Sequence, residues 1–147
     1  MRSFEPRLKE SVQHKGTLIV DKFLNIAGRV LLAHIFVLSG YGKIAGYAGT
    51  QAYMAAKGVP GEMLPLVILL ELGGGLAILA GFMTRWVALG LALFCVASAV
   101  LFHFEPGNQG QMINFMKNFA MAGGFLLLAQ IGAPYLSVDA MRNGKRK

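Results

Sequence analysis

A single acidic residue, Glu71, interrupts an apolar run that extends over residues 63–82. A helix rises about 1.5 Å per residue and the hydrocarbon core of a bilayer is about 30 Å thick, so a run of this length predicts a membrane-spanning helix. The carboxyl group then lies within the hydrocarbon layer, where an ionisable side chain is costly unless a partner or water meets it. Glu71 is therefore the first candidate for a functional residue, and the fold has to supply it with a partner.

Three further segments have the length and apolar character of membrane spans, namely residues 25–45, 86–104 and 112–132. The composition agrees, because 55% of the 147 residues are hydrophobic and 14% are charged, whereas soluble domains average about 25% charged residues. Helices satisfy every backbone polar group inside lipid, so the prediction is an all-α integral membrane four-helix bundle. This membrane domain covers residues 25–132, between a polar tail over 1–24 and a basic tail over 133–147.

The formal charge of +7 suggests nucleic acid at first sight, but the placement of the basic residues favours another explanation. With four spans, both tails and the 83–85 turn lie on the same side of the membrane. That side carries Arg2, Arg7, Lys9, Lys15, Lys22, Arg85, Arg142, Lys145, Arg146 and Lys147. Only Lys57 lies clearly in the loops on the other side. By the positive-inside rule both termini are expected in the cytoplasm, and no nucleic-acid partner is needed to explain the charge.

Cysteine and histidine offer little chemistry in this chain. Cys95 is the only cysteine and lies inside the third predicted span, which excludes an internal disulfide, a CxxC redox pair and a thiolate zinc site. His14, His34 and His103 are too scattered for a metal motif, and no metal site is expected. Any redox chemistry must therefore use another group.

Polar and small residues share single faces of the predicted helices, at the i, i+3, i+4, i+7 spacing. These faces are Arg29, Phe36, Gly40 and Lys43 in the first span, Glu71, Gly74, Gly75 and Ile78 in the second, and Asn114, Lys117, Asn118, Met121 and Gly124 in the fourth. Small residues also indicate where helices approach closely, and the Gly42 and Gly46 pair is one such GxxxG motif. Each helix thus has a face suited to its neighbours and an apolar face suited to lipid.

Depth places Lys43, Glu71, His103 and Lys117 in the outer half of the bundle and Arg29 in the inner half. Two interpretations stay open: a buried ion pair of Glu71 with Lys117 and Lys43 that only sets helix register, or a polar cavity that binds a ligand or carries protons. One acid facing several bases favours an anion or a polar head group. No catalytic residue is assigned, and the candidates for ligand binding or proton relay are Glu71, Lys117, Lys43, His103, Asn118 and Arg29.

Several segments of the chain resemble the DoxX family of small bacterial inner-membrane proteins. They are GRVLLAHIFVLSGYGKIAGY from Gly28, GVPGEMLPLVILLELGGGLAILAGFMTRWVAL around Glu71, FH at Phe102 and His103, FMKNFAMAGGFLLL around Lys117, and the closing YLSVD. The resemblance covers residues 27–139. It implies a multi-pass four-helix bundle in the inner membrane that is associated with quinones or with an oxidoreductase system and its redox partner proteins.

The leading hypothesis is a membrane component of a redox or stress-related system that binds a quinone or another small amphiphile. Glu71 would accept or relay a proton, Lys117 and Lys43 would hold a carbonyl or anionic group, and His103 would exchange protons with the periplasmic side. Two alternatives stay open. One is a small proton-coupled permease or channel, which with four short spans requires a homo-oligomer, and the other is a non-catalytic membrane anchor or assembly subunit. Whether the chain takes part in catalysis, as an oxidoreductase component, also stays open.

Overall fold

The computed structural model describes the backbone over residues 4–144 and the side chains over residues 16–144. Within this range all regular structure is helical: α1 (Phe4–Ala45), α2 (Tyr47–Ala56), α3 (Leu64–Ile68), α4 (Gly74–Ala80), α5 (Thr84–Ser98), α6 (Gln109–Ile131) and α7 (Val138–Gly144). A 3-10 turn, Gly61–Met63, precedes α3. Two π-helical turns complete the elements, π1 (Leu69–Gly73) between α3 and α4 and π2 (Ala99–His103) after α5.

Four helical stretches are long and apolar enough to cross a membrane: Gly16–Ala45, Gly61–Ala80, Thr84–His103 and Gln109–Ile131, here spans one to four. Many large apolar side chains on them are exposed, as expected of a surface that lipid covers. The predicted all-α fold with four membrane-crossing helices is confirmed. The cytoplasmic position of both termini stays a prediction, and four of the basic residues behind it, Arg2, Lys145, Arg146 and Lys147, lie outside the described residues.

α1 begins at Phe4 and runs without a break into span one. Residues 4–24, predicted as a polar tail, are therefore helical in backbone, although the division into tails and a membrane domain stays a prediction. The bundle has a loop end, with residues 46–60 and 104–108, and a terminal end, with the 81–83 turn and α7. An even number of spans returns the chain to the side from which it started, so the two tails lie at the same end of the bundle.

Span one packs chiefly against span two, and span three against span four. The two pairs meet in an apolar core that includes Ala33, Phe36, Ile78, Leu91, Cys95 and Phe125. Phe36 meets Phe125 edge to face, with ring centroids 5.3 Å apart, an arrangement that aromatic pairs prefer. This core joins the two helix pairs.

Spans one and two cross at Gly40 and Gly75. A Cβ atom at Gly40 would lie 2.7 Å from the backbone nitrogen of Leu72, and one at Gly75 would lie 2.9 Å from Cγ2 of Val37. By contrast, a Cβ atom at Gly42 would meet nothing within 4 Å. The prediction that the Gly42 and Gly46 pair marks a close approach was wrong for Gly42, because this residue faces away from the neighbouring helix.

Arg29 ties the terminal end of the bundle together. Its side chain is 4% exposed, and it donates hydrogen bonds to the carbonyls of Ile78 at 3.1 Å, Leu79 at 2.6 Å, Tyr135 at 3.0 Å and Leu136 at 3.3 Å. The first two carbonyls belong to the last turn of α4, where carbonyls lack the usual i+4 donors of the helix, and that of Ile78 also accepts the N–H of Gly81 at 3.1 Å. The other two belong to the segment after span four, so one guanidinium group holds two distant parts of the chain.

Asp139 makes a second connection at this end. Its carboxylate accepts hydrogen bonds from the backbone N–H groups of Met83 at 2.9 Å and Thr84 at 2.8 Å and from the Thr84 hydroxyl at 2.7 Å. It therefore caps the start of α5 from 55 residues away. Burial raises the pKa of the Asp139 carboxyl, but the bonds from Thr84 and Met83 and the charge of Arg142 outweigh it, and the pKa lies below its ordinary value of 3.8.

Candidate functional site

A cavity of about 760 Å³ lies between the two helix pairs in the loop-end half of the bundle. Small-molecule sites commonly have volumes of roughly 300 to 1,000 Å³. All four spans contribute to its wall, for example through Phe36, Leu70, Phe94 and Met121. Helix α2 covers part of its loop end with Thr50, Tyr53 and Met54. The cavity is thus an apolar space inside the membrane that a short helix partly closes.

Three polar side chains, Ser39, Lys43 and Glu71, meet on the wall of this cavity and are here termed the Glu71 cluster. Nζ of Lys43 lies 2.8 Å from Oε2 of Glu71 and donates a hydrogen bond to Oγ of Ser39 at 2.7 Å. The Ser39 hydroxyl lies 3.3 and 3.2 Å from the two carboxylate oxygens. The Glu71 side chain is 7% exposed and that of Lys43 is 25% exposed. The carboxylate at membrane depth therefore has both an ion-pair partner and a hydroxyl donor.

Local structure explains how the cluster forms. Ser39 and Lys43 are four residues apart on α1, so their side chains lie on one face of the helix. Glu71 lies at the centre of π1, and π-helical turns inside α-helices occur frequently at functional sites. Gly40 allows the backbone of span two to approach at Leu72, the residue after Glu71. The glycine contact thus brings the carboxylate within reach of both side chains on α1.

His103 and Asn118 line the same cavity on the side of spans three and four. Nδ1 of His103 lies 2.8 Å from Oε1 of Gln111, and the Asn118 amide donates a hydrogen bond to the Asn114 carbonyl at 3.0 Å. His103 is the last residue of π2, so it lies at the loop end of span three. The cavity therefore has the Glu71 cluster on the side of spans one and two, and His103, Asn118 and Ser98 on the side of spans three and four.

Aromatic rings close the cavity near α2. Tyr53 of α2 stacks on Phe102 of π2, with ring centroids 5.7 Å apart and an interplanar angle of 26°. Both residues line the cavity. This stack joins the covering helix to span three across the loop end.

Lys117 does not reach the cavity. Its side chain is exposed and lines a separate, open depression of about 430 Å³ beside Asn108 and Asn114. The interpretation that Glu71 pairs with Lys117 therefore does not hold in the structure, where Lys43 takes that place. Successive residues of a helix point about 100° apart. The rotation of α6 turns Asn118 toward the cavity and Lys117 away from it.

Of the six candidates from the sequence, the structure brings four to one cavity: Glu71, Lys43, His103 and Asn118. Arg29 lies at the terminal end and donates hydrogen bonds to backbone carbonyls. Lys117 lies on the exposed surface of the bundle. Ser39 was missed as part of the site, although its i, i+4 spacing from Lys43 was a usable signal. Over the described residues, no group of three or more His, Cys, Asp or Glu side chains could hold a metal ion.

The comparisons with known proteins agree with this architecture. The profile of the DoxX family matches residues 24–104. The inner membrane protein YqjF of Escherichia coli (strain K12) is 53% identical over 120 residues, which cover 82% of this chain and 92% of YqjF. The inner membrane protein YphA of the same strain is 36% identical over 123 residues, which cover 79% of this chain and 88% of YphA.

A more distant relative comes from another bacterium. CatD of Bacillus subtilis (strain 168), which its name describes as a presumed oxidoreductase, is 26% identical over 111 residues, or 76% of this chain and 81% of CatD. No solved structure gives a significant match. The family profile covers more than half of the chain, and the fold has the four spans of an inner-membrane protein. The chain therefore belongs to the DoxX family of inner-membrane proteins.

Proposed function

We propose that this chain is the membrane component of an oxidoreductase system and binds a small amphiphile of the quinone type at the Glu71 cluster. The observation that carries the proposal is the position of Ser39, Lys43 and Glu71 on the wall of a cavity that is otherwise mostly apolar. Membership of the DoxX family and the similarity to CatD support the redox assignment. Intramembrane ionisable groups of this kind commonly mark ligand or proton paths.

The residues of the cavity suit a quinone head group. Such a head group presents two carbonyl acceptors on a flat, largely apolar ring. The Lys43 ammonium has three donor hydrogens, and its described contacts with Glu71 and Ser39 engage two of them. One donor is left for a ligand carbonyl, while Phe36 and Phe94 on the wall offer contacts to the ring.

The protein side of the chemistry is the handling of protons. A bound quinone would supply reversible two-electron chemistry, with electrons from a partner protein, since Cys95 has no second cysteine to form a dithiol. The Glu71 carboxylate can hold a proton at its Oε atoms, and the Lys43 ammonium lies 2.8 Å from one of them. His103 lies at the loop end of the same cavity and serves as the proton exchanger with the aqueous side.

Ligand retention gives the direct test. The protein is purified in lipid nanodiscs from cells that make quinones, extracted with solvent, and the extract is analysed by mass spectrometry. A short-chain ubiquinone is then titrated into quinone-free protein. We expect the wild type to retain quinone, and we expect Lys43→Gln to weaken binding of the short-chain quinone by about tenfold or more, since a hydrogen bond to a charged group contributes about 1.5–3 kcal/mol.

The matched control is Lys57→Gln, because Lys57 lies at the loop end but does not line the cavity. It should leave the affinity unchanged. Absence of quinone from the extract, together with equal binding of the short-chain quinone to wild type and Lys43→Gln, would overturn the proposal.

A proton-coupled permease or channel is the second candidate. The Lys43–Glu71 pair favours it, because charge pairs at membrane depth also mark proton and ion paths. Proteoliposomes with a pH-sensitive dye inside would report proton flux. If the protein retains no quinone and Glu71→Gln abolishes the proton flux, the result would favour transport over the redox function.

A further inference from the structure

Lys117 lies on the lipid-facing surface of α6, two helical turns from the helix start at Gln109. Its side chain is exposed. Its neighbours one turn before and after on this surface, Ile113 and Ala120, are exposed apolar residues of the kind that contact lipid. A charged side chain on such a surface is unusual, because intramembrane lysines normally face the interior of a bundle or a water-filled cavity.

No acidic side chain of this chain, over the residues whose side chains are described, forms an ion pair with Lys117. The ion pairs found there are Lys43 with Glu71 at 2.8 Å and Lys57 with Glu105 at 3.9 Å. An unpaired ammonium group inside a span is strongly disfavoured, so an anion or water from outside the chain must meet it. A lysine can extend its side chain along the helix toward the membrane surface, where the lipid phosphates lie.

A groove leads from the loop end of the bundle to Lys117. It is the depression of about 430 Å³ whose wall includes the amide side chains of Asn108, Gln111 and Asn114. Oδ1 of Asn108 accepts the backbone N–H of Gln111 at 3.2 Å, and Oε1 of Gln111 lies 2.8 Å from Nδ1 of His103. Both amide oxygens are therefore engaged within the protein. The NH₂ groups of Asn108 and Gln111 are left as donors, which gives the groove an anion-binding character together with Lys117.

We propose that this groove binds the phosphate of an anionic phospholipid from the leaflet at the loop end, with Lys117 as its counter-ion. The charge of Lys117 and the free amide donors complement a phosphodiester, which offers only acceptors. The groove opens where the lipid head groups lie, at the end of span four, and continues down to the lysine. The ligand is a structural or regulatory lipid, and the site is separate from the cavity at the Glu71 cluster.

A second copy of the chain fits this site less well. Two acids lie at the loop end, and Glu105 already pairs with Lys57 at 3.9 Å. That leaves Glu62, which is exposed and makes no described ion pair, as the acid that a copy could offer. Glu62 lies in the 3-10 turn at the very start of span two, whereas Lys117 lies two turns inside span four. Lipid phosphates already lie at the membrane surface to which the groove opens, so a lipid can meet Lys117 without any interface between copies.

Native mass spectrometry tests the proposal on the full-length protein. Delipidated protein in a mild detergent is titrated with phosphatidylglycerol or with phosphatidylcholine of the same acyl chains. We expect the wild type to hold one phosphatidylglycerol in preference to phosphatidylcholine. Lys117→Gln should weaken phosphatidylglycerol binding about fivefold, the contribution of one basic residue near an anionic membrane surface, and Lys117→Arg should retain it.

Two controls make the result specific. Lys57→Gln removes a basic residue at the same end that already has a partner, and it should leave lipid binding unchanged. Binding of a short-chain quinone to Lys117→Gln should equal that of the wild type, since Lys117 lies outside the cavity. Equal phosphatidylglycerol affinity in wild type and Lys117→Gln, or a dimer mass that Lys117→Gln abolishes, would overturn the proposal.

Discussion

Gly40 and Leu72 are in backbone contact, and a Cβ atom at Gly40 would fall 2.7 Å from the nitrogen of Leu72. Ser39 precedes the glycine and Glu71 precedes the leucine, so the contact lies directly beside the Glu71 cluster. No larger residue at position 40 would let the two helices approach as closely. The helix crossing therefore controls the distance over which Ser39 and Lys43 reach the carboxylate.

Gly40→Ala should push spans one and two apart. We expect the free energy of unfolding to fall by about 1–3 kcal/mol, the usual effect of overpacking, measured by denaturant titration in mixed micelles. Gly42→Ala is the matched control, because a Cβ atom there would meet nothing within 4 Å, and its effect should stay within about 0.5 kcal/mol. Equal effects of the two substitutions would show that the helices do not cross in close contact at Gly40.

Lys43 and Glu71 should be energetically coupled. Lys43→Met leaves the buried carboxylate without its cation and should lower the free energy of unfolding by about 3 kcal/mol, the low end for buried pairs, because 25% of the Lys43 side chain is exposed. The double variant Lys43→Met with Glu71→Gln should lose less than the sum of the two single variants, by about 0.5–3 kcal/mol. Strict additivity in this double-mutant cycle would contradict the ion pair.

Asp139 should make stability depend on pH in acid. Its pKa in the folded protein lies below the ordinary value of 3.8, so the carboxylate stabilises the fold above that value and loses this effect as the pH falls through the lower one. Asp139→Asn should therefore be less stable than the wild type by about 1–2 kcal/mol at neutral pH, where the helix cap is charged.

Unfolding free energies measured over a series of pH values test this role of Asp139. In a non-ionic detergent, the difference in unfolding free energy between wild type and Asp139→Asn should stay constant down to about pH 5 and shrink below pH 3.8. A difference that is unchanged down to pH 3, or that increases in acid, would refute the assignment of the cap to the charged form.

Arg29 should prove structural. Arg29→Lys keeps the charge, but an ammonium cannot span the carbonyls on both sides that the guanidinium reaches, among them those of Leu79 and Tyr135. We expect a loss of about 2–4 kcal/mol in unfolding free energy from buried acceptors left without donors, and faster proteolysis after residue 132. Affinity for a short-chain quinone in the remaining folded protein should not change. A loss of quinone affinity without a loss of stability would show instead that Arg29 takes part in ligand binding.

The membrane spans and the depth of Glu71 could be predicted from the sequence because they depend on the length and polarity of continuous segments. Such properties are local, and a helix in lipid satisfies its own backbone. The polar face of span one was also foreseen, since Arg29, Gly40 and Lys43 follow the helical spacing. In the fourth span the predicted polar face was broader than the face that packs against the other helices. Spacing alone therefore could not show that Asn118 faces the cavity and Lys117 does not.

The partner of each charged side chain depends instead on how whole helices rotate and cross. One residue turns a helix by about 100°, so the glycine contact at Leu72 decides that Lys43, and not Lys117, meets Glu71. Arg29 likewise finds the Tyr135 carbonyl 106 positions along the chain, a pairing that no local pattern encodes. The length of each continuous apolar segment therefore determined the membrane helices. The ion pair, the cavity and the packing of the terminal end instead required contacts between residues far apart in sequence.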